Sequence, residues 1–87
     1  MYSYEKERKA VFEERNQPMF LTIRDRAKQL LEQSGAFTLG RVIDGCGGCS
    51  WTMLACVDRL VELGEIVEVG KAGMGQRRIF RAPYGEL

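Results

Sequence analysis

Histidine is absent from this 87-residue chain, proline occurs twice and tryptophan once. Without histidine the commonest general base and the commonest metal ligand are both missing, which removes Ser–His catalysis and His-based zinc sites. Long apolar runs are missing too. The longest uncharged stretch, around Cys46 to Val57, is broken by Gly47, Gly48 and Ser50. It falls well short of the roughly 20 apolar residues of a membrane-spanning helix. The first segment, Tyr2 to Arg15, is polar and charged and has no signal-peptide core, so a cytoplasmic protein is expected. A strong bias to one charge sign is also lacking, since the net charge is +1. A surface uniformly coated in basic side chains is thereby excluded. At this length a single small domain with a thin core is expected, without a large enclosed substrate pocket.

The charges that are present are unevenly spread. Residues 1–35 carry a net +1, residues 36–68 a net −3, and residues 69–82 a net +4 from Lys71, Arg77, Arg78 and Arg81. A basic cluster confined to one short segment fits a local contact with a polyanion, or equally a solvated hairpin.

Periodicity then sets the order of elements. Tyr4 to Arg15 has helix-forming composition and a weak stripe of Tyr4, Val11 and Phe12. Asn16, Gln17 and Pro18 break it, and Pro18 suits the first turn of a following helix. Phe20, Ile23, Ala27, Leu30 and Leu31 recur at three- and four-residue steps, the period of an amphipathic helix that Gly35 ends. Ala36 and Phe37 read as a short extended bridge. Thr38 is placed to cap a second, short helix with Leu39, Val42, Ile43 and Cys46 inward. Gly45, Gly47 and Gly48 make a tight turn. Ser50 is placed to cap a third helix with an inward stripe of Leu54, Val57, Leu60 and Val61, ended by Gly64. Ile66, Val67 and Val69 read as a strand, residues 71–76 as a turn, and Arg77 to Ala82 as a returning strand.

Helix, short extended piece, short helix, glycine turn, longer helix and glycine-tipped hairpin form a restrictive order. Over about residues 19–82 the chain resembles the winged helix-turn-helix superfamily. Val57-Asp58-Arg59-Leu60-Val61-Glu62-Leu63-Gly64-Glu65-Ile66-Val67 is similar to the end of the recognition helix and first wing strand of MarR-type bacterial regulators. Phe37-Thr38-Leu39 is similar to the strand that leads into their second helix. The turn Asp44-Gly45-Cys46-Gly47-Gly48-Cys49 departs from that pattern. The expected fold is mainly α with a small β-hairpin, with three core helices and a wing. Residues 1–17 are a helical or flexible extension, 18–83 the domain and 84–87 a tail.

The resemblance implies a small transcription regulator that binds double-stranded DNA as a homodimer, with the N-terminal segment as the obvious dimer element. Helix 50–63 would enter the major groove, and the 70–78 wing would meet phosphates or the minor groove. The expected contacts are Ser50, Trp51, Thr52 and Ala55 from the helix and Lys71, Gln76, Arg77 and Arg78 from the wing. Trp51 has a second reading, partial burial against the hairpin, and Ser50 one as a helix cap alone. Strand alternation places Arg77 and Arg81 on one face and Arg78 and Phe80 on the other. Arg24 and Lys28 are candidates for backbone contacts or for a solvated face.

Cys46 and Cys49 form a C-x-x-C, with Cys56 seven residues on. That is two helical turns, about 10 Å along the axis, too far for shared zinc coordination unless the turn folds back. Small reduced residues at a helix crossing are the main expectation, with a redox pair as the alternative. No metal, no cofactor and no small-molecule substrate are expected. Lacking a triad, a phosphate-cradling glycine loop and paired carboxylates on a concave face, the chain is not expected to be an enzyme. The competing reading is a winged-helix protein-interaction module without DNA binding, suggested by the near-neutral charge, the acids Asp58 and Glu62, and the aromatic N-terminal segment Tyr2, Tyr4 and Phe12.

Overall fold

Local signals set most helix boundaries. A computed structural model of the chain describes residues 1–69 and 77–83. Helix α1 (Tyr4–Val11) carries Glu5 and Glu7 in its first turn and Arg8 and Lys9 in its last. That distribution matches the helix dipole at both ends. A single 3₁₀ turn, Glu14–Asn16, links it to α2 (Gln17–Ser34), where Pro18 sits in the first turn. There its missing N–H costs nothing. Ile23, Ala27 and Leu30, spaced four and three apart, are the residues α2 buries. Gly35 ends the helix at φ 78°, and its N–H donates to the Leu31 carbonyl at 2.8 Å. A side chain there would meet the left-handed penalty.

Strand β1 (Ala36–Thr38) runs into α3 (Leu39–Ile43), and the Thr38 hydroxyl accepts from the Arg41 N–H at 3.4 Å. In the following turn Gly45 and Gly48 both have positive φ, and a side chain on Gly48 would collide with the Met19 methyl. The turn therefore closes directly onto α2. Helix α4 (Ser50–Glu62) has Cys49, not Ser50, at its N-cap position. Ser50 is instead its first residue. Strands β2 (Val67–Glu68) and β3 (Ile79–Arg81) complete a three-stranded antiparallel sheet in the order β1-β3-β2. Phe37 pairs with Phe80 across β1 and β3, their rings 5.6 Å apart, and Glu68 pairs with Phe80 on the other side.

The result is a mainly helical α+β chain with one small sheet. Its core gathers Ile23 of α2, Leu39 and Val42 of α3, Cys56, Val57 and Leu60 of α4, and Phe80 of β3. The stripe α4 buries against this core is Met53, Cys56, Val57 and Leu60; Leu54 and Val61, expected inward, are only partly buried. Among the described residues no helix is long and apolar enough to cross a membrane. The turn expected at 71–76 and the tail at 84–87 lie outside the described residues.

Candidate functional site

Helix α4 is the natural place to start, because four of the eight expected contact residues sit on it. Of its thirteen residues only Ser50, Trp51 and Glu62 are exposed. Thr52 is 8% exposed and Ala55 fully buried, so neither presents a surface to a ligand in this conformation. Ala55 belongs to the buried core that also holds Val11 of α1.

Helix α1 lies along the side of α4 opposite Met53, Cys56, Val57 and Leu60, and through Val11 and Ala55 the two helices share that core. On α4, Trp51, Ala55, Asp58 and Glu62 follow one another at four, three and four residues, a single stripe down one face. The Tyr2 ring meets Trp51 edge-on with centroids 6.5 Å apart, and its hydroxyl donates to Asp58 Oδ2 at 2.7 Å. The Tyr4 hydroxyl donates to Glu62 Oε1 at 2.7 Å, and Arg8 Nε reaches Glu62 Oε2 at 3.0 Å. Arg59 adds a bond to Glu62 at 2.8 Å. Phe12 completes the seam, with the Arg8 and Arg59 guanidinium groups 5.0 and 4.9 Å from its ring centroid. Trp51 keeps 41% of its surface and meets the Tyr2 ring along its edge.

These contacts tune the groups that make them. The Tyr4 and Arg59 hydrogen bonds, followed by that of Arg8, hold the Glu62 carboxyl down at about 2. Burial, then the bond to Glu62, pushes the Tyr4 phenol up to about 12. Tyr2 is raised as well, by burial first and then by its bond to Asp58.

The hairpin divides its arginines as strand alternation requires. Phe80 is fully buried, and Arg77, Ile79 and Arg81 are exposed. Arg78 turns inward with Phe80: its guanidinium bonds Asp58 at 2.6 Å and Glu68 at 2.9 and 3.0 Å, 5.2 Å from the Phe80 ring centroid. Only 16% of its side chain is accessible. The bonds it donates to Glu68, and after them the one to Asp58, hold it above the ordinary arginine value. Expected as a DNA contact, Arg78 is instead committed to tying α4 to the hairpin. Lys71 and Gln76 lie outside the described residues. Arg24 pairs with Asp25 at 3.3 Å and Lys28 is exposed, both on α2.

All three cysteines are free. Cys49 is exposed, and the Thr52 backbone N–H, followed by the Thr52 hydroxyl and the Trp51 N–H, lowers its thiol. Cys46 is half-buried, its thiol 3.9 Å from the Val42 carbonyl, beside an open groove of about 400 Å³ shared with Met19, Arg26 and Asp44. Cys56 lies in the core, and burial pushes it up to about 11. Among the described residues no three potential ligands stand close enough together to hold a metal ion.

Ser50 and Trp51 are exposed at the amino end of α4, and Arg77 and Arg81 on the hairpin. Tyr2, Tyr4 and Phe12 were legible as an aromatic N-terminal segment suited to docking, but not as partners of α4; Arg8 carried no signal in the sequence. Comparison with protein-family models, with curated proteins and with solved structures found no match to this chain.

Proposed function

We propose that this chain is a winged helix-turn-helix module that binds double-stranded DNA. In this reading α2, α3 and α4 are the three core helices, α4 is the groove-reading helix and the β2–β3 hairpin is the wing. The observation that carries it is topological. Helix, strand, short helix, tight turn and long helix precede a hairpin whose second strand is central in the order β1-β3-β2. Ser50 and Trp51 stand exposed at the amino end of α4, where the helix dipole favours phosphate. Arg77 and Arg81 on the outer face of the hairpin supply further phosphate contacts, joined by Lys71 and Gln76. Transcriptional regulation in the cytoplasm, on two-fold sites bound by a homodimer, is the role such a module would fill.

A second reading has one observation in its favour. The outer face of α4 already accepts a helix through tyrosine–carboxylate bonds, as a protein-docking face would. Salt separates the two readings, because phosphate contacts release counterions. Titration with random-sequence duplex, followed by Trp51 emission, is expected to give binding at about 50 mM salt. For about four phosphate contacts, affinity should fall roughly 100-fold by about 200 mM. Absence of binding at the lower salt overturns the DNA reading in favour of protein docking.

A further inference from the structure

Resting on the DNA reading, we infer that α1 is an autoinhibitory cover: it occupies the face of α4 that would enter the major groove, and it must leave before bases can be read.

The face in question is the stripe Trp51, Ala55, Asp58 and Glu62. It lies diametrically opposite Met53, Cys56, Val57 and Leu60, which are turned into the core. Every residue from Thr52 to Val61 is buried or half-buried. A helix with its side chains is about 10–12 Å across and the major groove about 12 Å wide, so the groove admits one helix and not two. With α1 in place, α4 offers DNA the exposed Ser50 and Trp51 at its amino end, and the hairpin its outward arginines. Those contacts go to phosphates, which position a protein but carry no sequence information.

The cover buries Val11 and Ala55, but the polar contacts at its moving end are of a releasable kind. The Arg8 and Glu62 side chains keep 45% and 36% of their surface, and exposed ion pairs contribute little in water. Phe12 is half exposed. Anchoring is concentrated at the other end of the helix. Val11 is 2% exposed, and the Asn16 and Gln17 side-chain amides donate to the Ala10 and Val11 carbonyls at 2.8 and 2.6 Å. The cover therefore hinges about residues 11–17, with Tyr2, Tyr4 and Arg8 at its moving end. At eight residues α1 is shorter than the roughly 12–15 that persist as an isolated helix in water. Once detached it melts, which favours the open state further. Opening also leaves no bare acid facing phosphate: Asp58 keeps Arg78, and Glu62 keeps Arg59.

The test compares the wild-type chain with Tyr2→Phe/Tyr4→Phe/Arg8→Ala, which removes the seam's polar bonds but keeps both rings and Val11. Arg8→Ala alone serves as a milder variant should the triple one be unstable. Each is followed by Trp51 emission, amide exchange of α1, and titration with random-sequence duplex. If the open form is about a tenth of the wild-type population, the variant binds about tenfold more tightly, because apparent affinity scales with the competent fraction. Faster α1 exchange with red-shifted Trp51 emission should accompany that gain. Faster exchange with unchanged affinity overturns the autoinhibition and leaves the DNA reading standing. Unchanged exchange in both variants overturns the assignment of these contacts as the latch. Absence of duplex binding by wild type and opened variant alike at about 50 mM salt overturns the DNA reading itself.

Discussion

The two long sides of α4 are built from different materials. Its inner side is Met53, Cys56, Val57 and Leu60 pressed against α2, α3 and the sheet, without a polar bond among them. Its outer side is Trp51, Asp58 and Glu62 around the buried Ala55, joined to α1 and the hairpin by an aromatic contact, hydroxyls and guanidinium groups. Apolar burial stabilises in proportion to area and has no dependence on protonation. The outer seam depends on charge, hydrogen-bond geometry and solvent access, and water competes for each of its partners. One helix thus combines a permanent attachment with a conditional one.

The contrast is sharpened most by cutting the inner side. Leu60→Ala, at 1% exposure, removes core volume that the surroundings cannot refill. It should cost about 2–5 kcal/mol by chemical denaturation with the denaturant slope unchanged. Arg78→Met comes next, because it strands Asp58 and Glu68 beneath the hairpin. A loss of about 2–4 kcal/mol is expected, and Arg78→Lys should recover only part of it because lysine lacks the planar fork. A loss no larger than that of an exposed arginine such as Arg81 would place Arg78 outside the fold's support. Tyr2→Phe on the outer seam should cost only about 1 kcal/mol, read as a small shift in melting temperature together with altered Trp51 emission.

Protonation breaks the comparison differently. Glu62 is held at about 2 against an ordinary 4.5, so its bonds to α1 are fully present above pH 4.5 and are lost as pH falls toward 2. Tyr4 is raised to about 12 from 10.0, so its contribution is present below pH 10 and is lost as pH rises through 12. Exchange of the α1 amides, once corrected for intrinsic rates, should show constant protection from about pH 5 to 9. It should quicken in the lower window before the α4 amides follow. The smallest effect is chemical. Cys49, exposed and lowered, should be alkylated first at neutral pH, Cys46 more slowly, and Cys56 only on unfolding. Early modification of Cys56 would mean that the inner side opens as readily as the outer.

Signals that act within one helical turn were readable in the sequence. Pro18 at the head of α2, Gly35 at its end and Thr38 before α3 each act on backbone groups only a few residues away. The stripe Ile23, Ala27 and Leu30 was readable for the same reason, since one helix repeats it. The alternation of the hairpin correctly grouped Arg78 with Phe80. Which group faced inward depended on Asp58, twenty residues away, and alternation alone has no access to that partner. Ala55 was misread because the core it joins also holds Val11 of α1, more than forty residues earlier. The contacts of that seam are made by hydroxyls and charges, which leave only a faint hydrophobic period in the sequence. The cap of α4 falls one residue earlier than expected, on Cys49, without a side-chain capping bond.

The most direct test is amide exchange of the wild-type chain with and without saturating random-sequence duplex at low salt. The account predicts that α1 amides lose protection when DNA is bound, while those of α2 and α4 keep or gain it. Protection of α1 that rises or stays constant on binding would contradict it, because the groove-facing side of α4 would then still be covered.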